Sequence, residues 1–121
     1  MTPQREKLIL VVDDDADMLE VFLQVLETAG YATTGASHGQ QALDRLEGGL
    51  RPSLILLDLM MPVMTGWELD EKLAADPALS SIPVVFISAG GAPSPTTRTT
   101  RYLKKPVPLN ILLETVRTHC A

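Results

Sequence analysis

The sequence predicts an α/β fold in which helices cover both faces of an open parallel β-sheet. Three apolar runs, LILVV, LILL and VVFIS, are continuous rather than alternating, as strands buried on both faces are. Segments with helical spacing of apolar residues separate these runs. Strands that alternate with helices form βαβ units, whose strands are parallel. The length of 121 residues suits a single domain over residues 1–121.

The first four elements follow from apolar spacing and from helix start and stop residues. Residues 8–12 form a buried strand, and a helix from Ala16 to Ala29 follows, with Gly30 as its stop. The segment YATTGA predicts a weaker strand. Ser37 at an N-cap, with Gln40 three residues later, predicts a capping box and a short helix that ends at a glycine pair.

The second half of the chain continues the alternation. A buried strand over residues 54–57 precedes a second capping-box pattern, in which Thr65 and Glu68 open a helix that runs to about Ala75. VVFIS is the next buried strand, and RYLK over residues 101–104 is a short one. The last helix has an apolar stripe formed by Leu109, Leu112, Leu113 and Val116.

The segment AGGAPSPTTRTT, residues 89–100, stands where a helix would connect the last two strands. Glycine disfavours a helix by about 1 kcal/mol relative to alanine, and an internal proline by about 3 kcal/mol. The segment contains two of each and has no apolar stripe that could pack. We therefore expect the fourth helix to be shortened or replaced by a loop.

Composition excludes several classes of protein. A net charge of −5 argues against nucleic-acid binding through a broad basic face. Cys120 is the single cysteine, so no internal disulfide can form. No apolar run approaches the roughly 20 residues of a membrane span, and LILVV is too short for the core of a signal peptide. The sequence predicts a cytoplasmic protein that does not associate with membranes.

Chemically active side chains stand at the ends of four of the predicted strands: Asp13 and Asp14, Asp58, Ser88, and Lys105. Because the carboxyl ends of parallel strands lie at one edge of the sheet, we expect these side chains to converge there. Packed carboxylates repel unless a cation joins them, and Mg²⁺ prefers oxygen ligands. A lysine and a hydroxyl suit a phosphoryl group, and an aspartate can attack phosphorus to form an acyl phosphate.

The strings VVDDD, LILLDLMMPVMTGWEL, VVFISA and YLKKP resemble the receiver domain of bacterial two-component response regulators over nearly the whole chain. The resemblance implies a flavodoxin-like (βα)5 three-layer sandwich with strand order 2-1-3-4-5. It implies a signalling phosphoacceptor, not an enzyme, that catalyses its own phosphorylation and dephosphorylation. Its expected partners are a sensor histidine kinase or phosphotransfer protein and an unknown output protein. Because the chain stops after the last helix, no direct DNA binding is expected.

The resemblance also assigns the phosphoacceptor and the metal ligands. Asp58 corresponds to the acceptor, and Asp13 and Asp14 correspond to the acidic pair that binds Mg²⁺ together with Asp58. The backbone carbonyl of Met60 would complete the protein's share of metal ligands. Asp15, at the start of the first helix, suits the positive end of that helix instead.

Three further roles come from the same resemblance. Ser88 corresponds to the switch hydroxyl and Tyr102 to the switch aromatic. Lys105 corresponds to the lysine that pairs with the phosphoryl oxygens, and its peptide bond to Pro106 is expected to be cis. The positions that influence hydrolysis of the acyl phosphate hold Met60 and a glycine, neither of which can orient a water through a side-chain hydrogen bond. We therefore expect slow self-dephosphorylation.

Two other functions remain open on the sequence alone. The segment DDDAD offers acids at alternate positions, as a small phosphohydrolase with a nucleophile on its first strand would require. The unusual composition of residues 89–100 also fits a receiver-like interaction module that never takes phosphate. Turnover of a phosphate ester that survives loss of Asp58 would favour the phosphohydrolase, and labelling of the acyl phosphate separates the interaction module from a receiver.

Overall fold

A computed structural model describes residues 7–59, 61, 63–89 and 101–120. Strands and helices alternate within these ranges, apart from the β4–β5 pair, between which lie residues 90–100. The elements are β1 (Leu8–Val12), α1 (Ala16–Thr28), β2 (Ala32–Ala36), α2 (Gly39–Glu47), β3 (Leu54–Asp58), α3 (Gly66–Ala75), β4 (Val84–Ser88), β5 (Arg101–Lys104) and α4 (Leu109–His119).

The five strands form one parallel sheet in the order β2-β1-β3-β4-β5. This arrangement confirms the α/β fold class and the strand order 2-1-3-4-5. The predicted shortening of the fourth helix concerns residues 89–100, of which residues 90–100 lie outside the described residues. Among the helices that the structure describes, none has the length and apolar character needed to cross a membrane.

The core consists of two apolar clusters, one on each face of the sheet. Successive strand residues point to opposite faces, so each central strand contributes to both clusters. Leu10 and Leu57 belong to the cluster that includes residues of α2 and α3, whereas Val11 and Leu56 belong to the cluster that includes residues of α1 and α4. The result is the predicted three-layer sandwich, with mostly aliphatic side chains in both layers of the core.

Both ends of α1 are capped by the residues that the sequence indicates. The Asp15 carboxylate accepts hydrogen bonds from two backbone N–H groups of the first turn, at 3.0 and 3.2 Å. At the other end Gly30 has a φ of 100°, a left-handed conformation that glycine adopts without steric cost. This turn lets the Tyr31 N–H donate to the Leu26 carbonyl at 3.1 Å, which closes a Schellman motif.

The cap of α2 differs from the prediction. His38, and not Ser37, is the N-cap, and its Nδ1 accepts a hydrogen bond from the Gln41 N–H at 3.1 Å. The Ser37 N–H donates to Gln41 Oε1 at 2.7 Å, so the glutamine that reaches back is one residue beyond the predicted Gln40. An imidazole nitrogen can accept the hydrogen bond that a serine hydroxyl was expected to accept. The N-cap therefore lies at His38, one residue after the predicted Ser37.

The capping box of α3 is confirmed. Thr65 Oγ1 accepts from the Glu68 N–H at 3.2 Å, and Glu68 Oε1 accepts from the Thr65 N–H at 3.0 Å. These two bonds fix the start of α3 only a few residues after the end of β3.

The loop between β3 and α3 contains a strained residue. Val63 has a φ of 69°, a left-handed conformation that is rare for a β-branched residue. Its side chain is 99% exposed, so no packing contact compensates for the strain. A left-handed conformation costs an L-residue about 1–2 kcal/mol.

We expect Val63→Gly to stabilise the protein by about 0.5–1 kcal/mol, because the relief of strain exceeds the extra freedom of glycine in the unfolded chain. The free energy of unfolding in urea measures the change. Val63→Ala is the control, since alanine keeps the Cβ that causes the strain. An equal gain for the alanine variant would contradict the conformational explanation.

Candidate functional site

Four neighbouring strands bring polar side chains to the carboxyl edge of the sheet. Asp13 directly follows β1, Asp58 is the last residue of β3, Ser88 is the last residue of β4, and Lys105 directly follows β5. These four strands are adjacent in the sheet order. Asp58 of β3 lies opposite Ile87 of β4, which is the residue directly before Ser88. The convergence expected from the sequence is therefore present at this edge.

Three carboxylates meet at the centre of the edge. One oxygen each of Asp13, Asp14 and Asp58 lies within 4.8 Å of the other two. Asp13 is 1% exposed and Asp58 is 5% exposed, whereas Asp14 is open to solvent. The backbone N–H of Asp15 donates to Asp13 Oδ1 at 2.9 Å, which fixes the orientation of the Asp13 carboxylate. Buried carboxylates this close together need a cation for charge balance.

Lys105 supplies one positive charge to the cluster. Its Nζ lies 2.9 Å from Asp13 Oδ2 and 3.7 Å from Asp58 Oδ2. Burial lowers the pKa of the Lys105 ammonium, but the hydrogen bond to Asp13 and the charges of Asp13, Asp58 and Asp15 outweigh burial and leave that pKa raised. Lys105 is therefore an ammonium at neutral pH.

The donor set fits a hard divalent cation. Three carboxylates and one ammonium leave a net charge of −2 at the site. The carboxylate oxygens are hard donors of the kind that Mg²⁺ prefers, and the exposure of Asp14 leaves room for the waters that this ion retains. Met60, whose carbonyl is the expected further ligand, lies outside the described residues.

A backbone hydrogen bond joins the end of β4 to Lys105. The Lys105 N–H donates to the Ser88 carbonyl at 2.9 Å, and the Lys105–Pro106 peptide bond is cis as expected. The Ser88 side chain is fully buried. Its position at the end of β4, beside the strand that ends at Asp58, places it at the same edge as the carboxylates.

Three aromatic residues lie on the face of the sheet behind this edge. Tyr102 lies opposite Phe86 in the register of β4 and β5, and its half-buried side chain packs against the apolar cluster that contains Phe86. Trp67 of α3 also contacts Phe86, edge to face, with ring centroids 5.3 Å apart. Phe86 is two residues before Ser88 and therefore points to the same face of the sheet.

Gly66 is a structural requirement of the site that the sequence analysis did not single out. A Cβ at Gly66 would lie 2.6 Å from the Asp58 carbonyl oxygen and 2.8 Å from Leu59 Cα. The Gly66 N–H also donates to the Leu59 carbonyl at 3.1 Å. The first turn of α3 thus lies directly against the backbone that carries Asp58. The sequence signal for this contact is the glycine that follows Asp58 in DLMMPVMTG.

Relatives with curated functions match most or part of the chain. A sequence profile of the response regulator receiver domain matches residues 9–117. The polar-differentiation response regulator DivK of Brucella anthropi is 30% identical over 118 residues, which cover 93% of this chain and 95% of DivK. The DNA-binding response regulator MtrA of Mycobacterium tuberculosis is 44% identical over 81 residues, which cover 67% of this chain but only 34% of MtrA.

Solved structures show the same architecture. The chemotaxis protein CheY4 of Vibrio cholerae aligns with a TM-score of 0.86 at 26% identity, covering 93% of this chain and 97% of that protein. A CheY-like receiver domain protein of Methanospirillum hungatei aligns with a TM-score of 0.87 at 28% identity, covering 94% of this chain and 93% of the other.

We expect Gly66→Ala to destabilise the protein by about 1–3 kcal/mol, because the added methyl group overlaps with backbone atoms that cannot move aside. Chemical denaturation measures the loss. Gly48→Ala is the matched control, since its added Cβ would lie 3.2 Å or more from its neighbours and its φ of −78° suits alanine. Equal stability of both variants would show that the contact of α3 with the Asp58 backbone tolerates a side chain.

Proposed function

The chain belongs to the response regulator receiver domain family, and we propose that Asp58 is the residue that accepts the phosphoryl group. The observation that carries this assignment is the position of Asp58. It is buried at the end of a central strand, within reach of two further carboxylates and 3.7 Å from an ammonium group. A phosphoacceptor signalling domain needs this combination of a nucleophile and groups that balance the charge of a phosphoryl group.

In the proposed reaction, an Asp58 carboxylate oxygen attacks the phosphorus atom of a phosphohistidine on the donor protein. The new oxygen–phosphorus bond forms as the phosphorus–nitrogen bond breaks, and the leaving imidazole keeps the electron pair and takes up a proton from solvent. The Lys105 ammonium pairs with an oxygen of the transferred group. The Ser88 hydroxyl, from the neighbouring strand, donates a hydrogen bond to another.

The Asp13, Asp14 and Asp58 carboxylates would hold Mg²⁺, together with the backbone carbonyl of Met60. When bound, Mg²⁺ supplies charge neutralisation between the attacking carboxylate and the phosphoryl oxygens. Asp13 already accepts hydrogen bonds from Lys105 and from the Asp15 N–H. Both carboxylate oxygens of Asp13 are therefore engaged by donors of the protein itself.

The proposed switch uses Ser88 and Tyr102. The two residues belong to adjacent strands, β4 and β5. Movement of the Ser88 hydroxyl toward a phosphoryl group would change the space beside the apolar cluster that contains Phe86, against which Tyr102 packs. Phosphorylation would then shift the protein between two arrangements of this surface.

We assign the partners by the same reasoning. A sensor histidine kinase or a phosphotransfer protein would donate the phosphoryl group, and an output protein would recognise the phosphorylated surface. A single receiver domain over residues 1–121, location in the cytoplasm and the absence of direct DNA binding stay predictions. MtrA, named as a DNA-binding regulator, is matched over about a third of its length.

We expect Asp58→Asn to abolish phosphorylation, because the amide fits the same space but is not a nucleophile. Incubation with Mg²⁺ and a small phosphodonor, followed by intact-mass measurement, gives the readout. Asp44→Asn on the exposed face of α2 is the matched control and should be labelled like the wild type. Undiminished labelling of the Asp58 variant would refute the assignment, and absence of labelling in the wild type would favour an interaction module.

We expect Asp14→Ala to weaken Mg²⁺ binding about tenfold or more and to slow labelling in proportion, because it removes a carboxylate ligand. Isothermal titration with Mg²⁺ measures the affinity directly. An unchanged affinity would show that the acidic pair does not bind the metal.

We expect the phosphorylated protein to lose its phosphoryl group slowly and Met60→Asn to lose it faster. An asparagine side chain can orient the hydrolytic water, whereas methionine cannot. Decay of the acyl phosphate, followed by intact mass in both proteins, measures the two rates. A Met60→Asn variant that decays no faster would contradict the expectation.

A further inference from the structure

One methionine of the loop between β3 and α3 lies in close contact with the start of α2. A Cβ at Gly39, the first residue of α2, would lie 2.9 Å from Met64 Sδ and 3.1 Å from Met64 Cβ and Cγ. The Met64 side chain therefore lies directly over the Gly39 backbone, with no room for a further atom between them. The same side chain is half-buried and packs against the apolar cluster that contains Leu69.

This contact supports the loop that follows Asp58. Met64 directly precedes Thr65, the N-cap of α3, and Leu69 is the fourth residue of that helix. Apolar residues at these two positions form a hydrophobic staple, which sets the angle at which the chain enters a helix. The first turn of α3 lies in turn against the Asp58 backbone through Gly66. Met64 therefore helps to hold the segment that positions the proposed acceptor.

We propose that Met64 is an oxidation site, and that its conversion to methionine sulfoxide by a hydroperoxide lowers the rate at which Asp58 is phosphorylated. The inference rests on the proposed function, since its consequence concerns the same carboxylate. The site of modification itself lies outside the cluster of carboxylates and Lys105.

In the proposed modification, the thioether sulfur of Met64 attacks the outer oxygen of the hydroperoxide. The sulfur–oxygen bond forms as the oxygen–oxygen bond breaks, and the proton of the attacked hydroxyl passes to the leaving oxygen. The sulfur is oxidised by two electrons, and the hydroperoxide is reduced to an alcohol, or to water when it is hydrogen peroxide. Reductases specific for each sulfoxide epimer reverse the reaction.

The added oxygen changes the character of the side chain. A sulfoxide is polar and accepts hydrogen bonds, so its burial against the apolar cluster and the Gly39 backbone is unfavourable. The side chain then turns toward solvent, and the staple at the start of α3 is lost. A displacement of about 1 Å can slow a reaction by about a hundredfold, so a loosened support of Asp58 reduces the rate of attack on phosphorus.

Burial distinguishes Met64 from two other methionines of the described chain. Met61 belongs to the same cluster but is only 5% exposed, so a hydroperoxide reaches its sulfur far less readily. Met18 of α1 is half-buried like Met64, but it packs against the cluster on the opposite face of the sheet. Met61 is therefore expected to resist oxidation, and Met18 provides a matched control.

The experiment compares the wild type, Met64→Leu and Met18→Leu before and after treatment with hydrogen peroxide. Catalase removes the peroxide, peptide mapping locates each sulfoxide, and intact mass follows the labelling of Asp58 by a small phosphodonor with Mg²⁺. We expect oxidation to slow labelling of the wild type and of Met18→Leu about tenfold, whereas Met64→Leu keeps the rate of its own untreated sample. Cys120 is present in all three proteins, so its oxidation cannot cause a difference between them.

Enzymatic repair provides a test that needs no variant. Methionine sulfoxide reductases with dithiothreitol should restore the labelling rate of the oxidised wild type, and no recovery after reduction of the sulfoxide would overturn the inference. An equal loss of rate in Met64→Leu, a Met64 that stays unmodified while Met18 is oxidised, or a Met64 sulfoxide that leaves the rate unchanged would also overturn it, and the proposed function would stand. Absence of labelling in the untreated wild type would overturn the proposed function and this inference together.

Discussion

The repulsion among three carboxylates at one edge of the sheet is the constraint on which the rest of the site depends. Asp13 and Asp58 are buried there, where their charges are poorly screened, and Asp14 adds a third charge from the solvent side. The Lys105 ammonium offsets only part of this charge. In the proposed function, a bound cation would offset the remaining negative charge, so that the site could bind the phosphoryl group that it would otherwise repel.

The core provides the rigidity that this charge cluster requires. Each central strand is buried on both faces, so the ends of β1 and β3 are held by apolar packing on two sides. The close contact of Gly66 with the Asp58 carbonyl adds a support from α3. Hydrophobic burial is not directional, but it fixes the strands, and the strands fix the positions of the polar groups that follow them.

Irregular features of the chain are concentrated around the same edge. The buried carboxylates Asp13 and Asp58 and the left-handed Val63 lie at or after the carboxyl end of a strand, whereas the buried Asp70 lies within α3. Elsewhere the local conformational preferences of the residues agree with the structure that they adopt, as at the capped ends of α1 and α3. Proteins depart from such agreement mainly at functional sites, and this distribution therefore supports the location of the site independently of the comparisons.

The sequence by itself determined the elements, their order and the identity of the polar residues at the strand ends. Continuous apolar runs and the Thr65 capping box are local signals, and short-range forces decide them. Only the tertiary structure decided that Lys105 Nζ lies nearer to Asp13, at 2.9 Å, than to Asp58, at 3.7 Å. Lys105 and Asp13 are 92 positions apart, and their distance depends on the docking of β5. The contact of Gly66 with the Asp58 backbone likewise depends on how closely α3 approaches β3. Such distances result from the packing of the whole chain, and no local pattern of residues encodes them.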